Sequence, residues 1–183
     1  MLPYEVFRHP LKNGDFVTFG QRPEIQLKKV FQKHTNIVLD SYKSSGEMIA
    51  DGLISKEDTN LCIVTADCIP LFIQGEQGVS MLHAGWRGLE NNILQNKLLE
   101  SIKPNFAFIG PSITAKNYEV TAEFLSYFPH SNSILKENNK YFFDLRIECI
   151  NQLRNNFAGI VIEKTDVCTF DSPNLHSFRE NRS

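Results

Sequence analysis

The stretch Val79-Ser80-Met81-Leu82-His83-Ala84-Gly85-Trp86-Arg87-Gly88 indicates how this chain folds. A strand-like run gives way at His83 to a segment with glycine and polar residues, and such a change marks the end of a strand. Leu61-Cys62-Ile63-Val64-Thr65, followed by Ala66-Asp67-Cys68-Ile69-Pro70, has the same form. Both stretches therefore predict a strand that ends in chemically active side chains, where sheet proteins commonly place their function.

Further short strand-like runs and three helical segments are predicted along the chain. The runs are 15–19, 36–39, 48–54, 71–74, 106–109, 140–145 and 159–163, and the helices are 89–102, 121–128 and 145–157. The polar stretches 41–46, 56–60 and 131–140 are predicted to be loops. Because helices follow strands without regular alternation, the pattern favours an α/β (α+β) fold: mixed β-sheets covered by helices in an αββα-type sandwich.

Length and charge limit the class of protein. A chain of 183 residues fits a single domain over 1–183. Lys and Arg total 19 against 21 for Asp and Glu, so there is no basic excess for binding nucleic acid. No segment approaches the roughly 20 apolar residues that span a bilayer. We expect a cytoplasmic protein, monomeric or a small homo-oligomer, that binds neither nucleic acid nor membrane.

The four cysteines have no CxxC pairing, so thiols or metal ligands are favoured over disulfides. Cys62 and Cys149 lie in apolar runs, where a free cysteine behaves as a small hydrophobic residue. Cys68 differs from these two cysteines because it lies just after a predicted strand, and His83 has the same position after its own strand. His34 precedes the strand-like Ile37-Val38-Leu39, which gives a third candidate at a strand end.

A thiol and two imidazoles allow three interpretations. They could bind a metal, they could form a cysteine nucleophile with its base, or they could be separate core residues. Two imidazoles and a thiolate suit a borderline-soft divalent ion, and three protein ligands leave a fourth tetrahedral position open for water or substrate. Spacing alone leaves these alternatives open.

Several motifs together resemble those of the YfiH-type family, also called the laccase-domain or polyphenol oxidoreductase family. They are Gln32-Lys33-His34, Ala66-Asp67-Cys68-Ile69-Pro70, His83-Ala84-Gly85-Trp86-Arg87-Gly88-Leu89, Ile109-Gly110-Pro111-Ser112-Ile113, Tyr118-Glu119-Val120 and Cys168-Thr169. The resemblance implies a zinc ion held by His34, Cys68 and His83. It also implies purine nucleoside phosphorylase activity on adenosine, inosine, guanosine and methylthioadenosine, with adenosine deaminase as a companion activity. The implied partners are purine nucleosides and phosphate.

Two neighbouring residues have candidate roles in that chemistry. Asp67 could orient a ligating imidazole or carry a proton, or it could simply cap a turn at the strand end. Arg87 could bind phosphate through its bidentate guanidinium, helped by backbone N–H groups at the start of the following helix, or it could stack on Trp86.

Rival functions remain open from the residues alone. Cys68 could be the nucleophile of a cysteine hydrolase or deamidase, with His83 as its base. The same three ligands could hold copper in a polyphenol oxidoreductase. The chain could also be a zinc-binding module without catalysis.

Overall fold

The computed structural model describes residues 5–180 of the chain. The strands in that range are β1 (Glu5–Leu11), β2 (Gly14–Phe19), β3 (Val38–Asp40), β4 (Gly52–Ser55), β5 (Ile69–Gly75), β6 (Gly78–Ala84), β7 (Pro104–Ile109), β8 (Glu119–Val120), β9 (Ile134–Glu137), β10 (Lys140–Phe143) and β11 (Val161–Lys164). The α-helices are α1 (Trp86–Glu90), α2 (Lys97–Glu100) and α3 (Leu145–Asn156). Short 3-10 helices occur at Ile93–Gln95, Ala115–Asn117 and Ala122–Tyr127.

A six-stranded mixed sheet dominates the structure. Its strand order is β11-β7-β5-β6-β4-β3. The edge pairs β11–β7 and β3–β4 are parallel, whereas the three inner pairs are antiparallel. Together with the helices and two smaller sheets, this confirms the predicted α/β (α+β) class with mixed sheets.

The centre of this sheet is fully buried. Ile69, Leu71 and Ile73 on β5 and Leu82 on β6 each have 0% exposure. Burying a side chain of this size stabilises a protein by about 1.5–3 kcal/mol. The ends of β5 and β6 are therefore a rigid support for any side chains that follow them.

The two smaller sheets are antiparallel: β1 pairs with β2, and β10 lies between β8 and β9. Asn138 and Asn139 connect β9 to β10 with φ of 49° and 62°. Two consecutive residues with positive φ are typical of a type I′ hairpin turn, and asparagine tolerates that conformation better than most residues. The interpretation of 131–140 as a loop is therefore wrong for Ile134–Glu137.

The last long helix, α3, agrees with the prediction for 145–157. The Asp144 carboxylate accepts hydrogen bonds from the backbone N–H groups of Arg146 and Ile147, so it caps the helix at its first turn. Cys149 is fully buried on this helix, as expected for a small hydrophobic residue.

The prediction of one continuous helix over 89–102 is wrong. Asn92 has φ of 61°, which ends α1 and separates it from the following 3-10 turn. Asn96 is extended and its side chain accepts a hydrogen bond from the Leu98 N–H, so it begins α2 as a separate N-cap. The apolar spacing was real, since Leu89, Ile93 and Ile102 are buried.

The prediction of a strand over 61–65 is also wrong. Leu61 makes only an isolated bridge to Lys28. Further along, the Gln32 side chain donates to the Val64 carbonyl and accepts from its N–H, both at 2.7 Å. A side chain therefore occupies the hydrogen-bonding groups that a neighbouring strand would need.

Between residues 5 and 180, none of the helices has the length and apolar character needed to cross a membrane.

Candidate metal centre

Three neighbouring strands of the large sheet, β5, β6 and β4, have their ends side by side. Cys68 immediately precedes β5 and His83 lies near the end of β6, and these strands pair through Pro70 opposite His83. Because β5 and β6 are antiparallel, the start of one lies beside the end of the other. Asp51 immediately precedes β4 on the other side of β6, and its carbonyl accepts the His83 backbone N–H at 2.7 Å. The topology thus places three chemically active residues together.

His34 joins this group from the segment before β3. The ligand atoms of His34, Cys68 and His83 all lie within 4.8 Å of one another. The Cys68 Sγ lies 4.0 Å from His34 Nε2, and the two imidazole ring centroids are 4.7 Å apart. The structure therefore brings together all three side chains that were predicted from the sequence to be metal ligands.

The donor set fits a zinc ion. Tetrahedral zinc with bonds of about 2.0–2.3 Å places neighbouring donor atoms roughly 3.5 Å apart, so only small movements separate this cluster from coordination. His83 is buried, Cys68 is half-buried and His34 is exposed. Because the cluster opens on the His34 side, a fourth ligand can approach from there.

Gly85 keeps space above the sulfur. A Cβ atom at this position would lie 2.7 Å from Cys68 Sγ and 3.4 Å from His34 Cδ2. The first distance is shorter than any normal contact between nonbonded atoms. Only glycine leaves room here for the sulfur in its present position.

The environment of the cluster changes the pKa values of two of its members. Burial disfavours the Cys68 thiolate, but hydrogen bonds from His34 and His83 outweigh it and lower the pKa of the thiol to about 7. Burial likewise disfavours the His83 imidazolium, but hydrogen bonds to Asp51 and Cys68 raise the pKa of that imidazole to about 9. The thiolate is the form that binds metals and attacks electrophiles.

Asp51 is a site residue that the sequence analysis missed. Its carboxylate lies 2.7 Å from His83 Nδ1 and is fully buried. An aspartate ahead of a glycine is also typical of an ordinary turn, so Asp51-Gly52 carries little signal by itself. Its role depends on the pairing of β4 with β6, which becomes visible only in three dimensions.

Asp67 contacts a different part of the chain. Its carboxylate accepts hydrogen bonds from Thr169 Oγ1 and from the Arg179 backbone N–H, both at 2.7 Å. The imidazole contact considered for Asp67 is made by Asp51 instead, because Asp67 turns toward the C-terminal segment. Asp67 has φ of 83°, which is uncommon for a residue other than glycine. The proton-carrying role stays a prediction.

Arg87 lies at the wall of a cavity beside the cluster. Its guanidinium stacks 4.5 Å from the centre of the Trp86 ring, and the side chain is exposed. The helix α1 begins at Trp86 and is only five residues long, so Arg87 lies in its first turn and not ahead of it as predicted. Stacking on Trp86 and binding of a phosphate are compatible, since stacking leaves the edge of the guanidinium available.

The cavity itself has a volume of about 890 Å³. His34, Cys68 and His83 form part of its lining. On another side Arg179 stacks 5.1 Å from the Tyr118 ring centre, and Phe178 also lines the space. This volume falls within the range typical of small-molecule sites. The combination of aromatic rings, two guanidinium groups and a candidate metal centre suits a flat, polar ligand with an anionic partner.

The remaining cysteines lie outside the cluster. Cys62 is half-buried, and burial raises the pKa of its thiol. Cys168 is buried, and its sulfur accepts hydrogen bonds from the Thr114 hydroxyl and the Asn117 amide. All four cysteines are free thiols.

The fold resembles that of several solved structures. A Neisseria meningitidis protein of the DUF152 family superposes with a TM-score of 0.75 at 24% identity, over 84% of this chain and 69% of that one. YlmD from Geobacillus stearothermophilus superposes with a TM-score of 0.71 at 20% identity, over 87% and 70%. At these identities the likeness concerns the fold.

Other proteins resemble this chain more closely in sequence than these structures do. A purine nucleoside phosphorylase of Aquifex aeolicus is 33% identical over 159 residues, covering 83% of this chain and 75% of the relative. One from Campylobacter jejuni is 32% identical over an alignment of 194 positions, which covers 98% of this chain and 83% of the relative. The family model described as multi-copper polyphenol oxidoreductase laccase matches residues 17–183. The chain therefore belongs to this polyphenol oxidoreductase laccase family, whose YfiH-type members carry the name purine nucleoside phosphorylase.

Proposed function

We propose that this chain is a zinc-dependent purine nucleoside phosphorylase that acts on adenosine, inosine, guanosine and methylthioadenosine, with adenosine deaminase as a second activity. The names of the relatives support the phosphorylase class. The observation that carries the proposal is the approach of His34, Cys68 and His83 to within 4.8 Å beside a cavity of about 890 Å³.

Phosphorolysis needs an anion and a nucleoside side by side. A phosphate oxygen forms a bond to ribose C1′ while the bond from C1′ to the purine nitrogen breaks, and the purine leaves with the electron pair and takes up a proton. Arg87 presents a guanidinium at the cavity wall that can bind phosphate through two parallel hydrogen bonds. Arg179 places a second positive charge on the same cavity. These charges hold the attacking anion, which would otherwise be repelled from a site containing a thiolate.

His34, Cys68 and His83 would hold the zinc ion, which supplies a Lewis acid able to polarise a substrate oxygen or lower the pKa of a bound water. Tyr118 and Phe178 offer aromatic surface for the purine. Burial raises the pKa of the Tyr118 hydroxyl, so this group stays protonated and can donate a hydrogen bond.

Asp67 is the proposed proton carrier. It lines the cavity directly beside Cys68, and its ionised carboxylate accepts hydrogen bonds from Thr169 and Arg179. In deamination it would take a proton from the water that adds at C6 and pass it to the amino group, which then leaves as ammonia. In phosphorolysis it would pass a proton from the phosphate to the departing purine.

The test uses purified zinc-loaded protein incubated separately with the four nucleosides, with and without phosphate. We expect phosphate-dependent release of free base from each nucleoside, and formation of inosine from adenosine, both followed by chromatography. His83→Ala should lose zinc and both activities. Cys62→Ser, which changes a thiol outside the cluster, should keep them. Zinc-loaded protein that releases neither base nor inosine, and behaves like His83→Ala, would contradict the proposal.

A cysteine hydrolase is the second candidate, and one contact favours it. The pairing of Cys68 with His83, whose Nδ1 donates to Asp51, is the order of groups found in nucleophile, base and carboxylate triads. Alkylation separates the candidates. Iodoacetamide should leave the zinc-loaded protein unmodified at Cys68 until a chelator is added, whereas a catalytic thiolate would react in zinc-saturated buffer as well.

The identity of the metal is part of the proposal. Thiolate and imidazole ligands also suit copper, and the family name refers to copper. Metal analysis of protein loaded from an equal mixture, followed by assay of each form, decides between the two ions. We place the reaction in the cytoplasm because four free thiols suit a reducing compartment.

A further inference from the structure

Asp51 contacts both candidate histidine ligands through a single oxygen atom. Its Oδ1 accepts the Nδ1–H of His83 at 2.7 Å and the backbone N–H of His34 at 3.0 Å. Its Oδ2 accepts two backbone N–H groups, from Lys33 at 3.2 Å and Thr35 at 2.5 Å, and the Thr35 hydroxyl at 2.8 Å. One carboxylate thus receives five hydrogen bonds.

The contact with His83 decides which ring nitrogen faces the metal. Because the carboxylate can only accept, Nδ1 must carry a proton. Nε2 is then the nitrogen available for coordination. A ligating imidazole is commonly held in this way by a carboxylate, which fixes both its tautomer and the angle of its ring.

The contact with His34 acts through the backbone. His34 has φ of 59°, in the left-handed region that residues other than glycine seldom adopt. This conformation turns the N–H groups of Lys33, His34 and Thr35 toward one point, where the Asp51 carboxylate lies. Consecutive backbone N–H groups in such a conformation form a concavity that binds an anion, and the anion in turn stabilises their converging orientation. The carboxylate therefore holds the segment that directs the His34 side chain.

Asp51 itself has little freedom to move. It has 0% exposure, its N–H donates to the Ile37 carbonyl at 3.0 Å, and its carbonyl accepts from the His83 N–H at 2.7 Å. Water does not reach the carboxylate to compete for its hydrogen bonds. Both histidines are thus held by one fixed residue at the start of β4, which lies between β6 and β3 in the sheet.

We propose that Asp51 is the positioning residue of the metal centre, and that it sets both the zinc affinity and the coordination geometry by holding His34 and His83 at once. The inference rests on the metal site of the proposed function. It requires no direct contact between Asp51 and metal or substrate.

The decisive variant is Asp51→Asn, measured by zinc competition against a chelator and by the visible spectrum of the cobalt-loaded protein. Asparagine has the same shape but only one accepting oxygen, so its NH2 group must face either the histidine donors or the Lys33–Thr35 donors. We expect zinc affinity to fall roughly 10- to 100-fold, the loss typical when such a partner is removed. We also expect the cobalt absorption bands to shift or weaken, a change that lower stability alone would not produce.

Thr35→Val is the matched control. It removes one donor from Oδ2 but leaves both contacts of Oδ1 in place. Its zinc affinity should stay within about threefold of the parent protein, with an unchanged cobalt spectrum. An Asp51→Asn protein with parental affinity and spectrum would overturn the proposal, as would an equal loss in Thr35→Val.

A measurement on the unmodified protein covers the case in which Asp51→Asn does not fold. In nitrogen-15 NMR of the zinc-loaded protein, His83 should coordinate through Nε2 and retain a slowly exchanging proton on Nδ1. Coordination through Nδ1 would overturn the proposal. If the parent protein bound neither zinc nor cobalt, both the proposed function and the role of Asp51 would be contradicted. Normal metal binding without nucleoside turnover would contradict the proposed function alone.

Discussion

Replacing Gly85 by alanine should damage the metal centre while leaving the fold intact. The backbone at Gly85 has φ of −82° and ψ of 169°, which alanine adopts without strain. The new methyl group would lie 2.7 Å from Cys68 Sγ, whereas nonbonded heavy atoms prefer about 3.5–4.0 Å. The sulfur must therefore move by about 1 Å, away from the position in which it faces both imidazoles.

The cost of this movement falls mainly on the metal-bound state. In metal-free protein the Cys68 side chain can turn into the adjoining cavity, so the free energy of unfolding should change little. With metal bound the sulfur must return against the methyl group, at a cost of about 1–3 kcal/mol. Since 1.4 kcal/mol is a factor of ten in affinity, zinc binding should weaken by roughly 5- to 150-fold.

The assay combines zinc competition with thermal unfolding of the metal-free protein. Gly88→Ala is the matched control, because the atoms nearest its Cβ would be the Thr35 carbonyl oxygen at 3.3 Å and the His83 carbonyl oxygen and Ile93 Cγ2 at 3.7 Å, with no sulfur among them. That variant should bind zinc within about threefold of the parent protein. If Gly85→Ala bound zinc as tightly as the parent, the proposed position of Cys68 in the metal site would be wrong. Equal weakening in both variants would show a general effect of crowding.

Two further predictions concern the thiol and the phosphate. In chelator-treated protein, alkylation of Cys68 should accelerate as the pH rises through about 7, because the lowered pKa of the thiol produces the reactive thiolate below the ordinary pH range. Mass spectrometry would locate the label. A midpoint of the alkylation rate near pH 9 would contradict the lowered pKa. Fully buried Cys149, with its raised pKa, should stay unlabelled throughout. Arg87→Gln should raise the KM for phosphate about tenfold with little change in the KM for nucleoside, because the charge-assisted hydrogen bonds between the guanidinium and phosphate are lost. An unchanged KM for phosphate would show that Arg87 only stacks on Trp86.

The three candidate ligands could be found from the sequence because each lies near the end of an apolar run. The pairing of β5 with β6 places Cys68 beside His83, but Cys68 precedes β5 and does not follow a strand over 61–65 as predicted. Asp51 could not be found in this way. Its contacts connect it to residues 32 positions later and 16 to 18 positions earlier, and local composition carries no information about such distances.

The errors in secondary structure have a similar origin. The apolar spacing of 89–102 reports burial correctly, but it does not reveal that Asn92 adopts a left-handed conformation and interrupts the helix. The run 61–65 has strand composition, yet the Gln32 amide occupies the backbone groups of Val64. In both places a polar side chain or an unusual φ overrides the hydrophobic pattern. The hairpin at Asn138 and Asn139 had a usable signal, since two adjacent asparagines favour such a turn.

The contacts of Asp67 have a consequence for how the cavity is assembled. Its carboxylate accepts hydrogen bonds from residues 102 and 112 positions further along the chain. Closing a loop of this length costs conformational entropy that a local contact does not. During synthesis, the three candidate metal ligands leave the ribosome well before the Thr169–Arg179 segment, which includes part of the cavity wall. A nascent chain thus carries its three candidate ligands before it has the segment that encloses the cavity beside them.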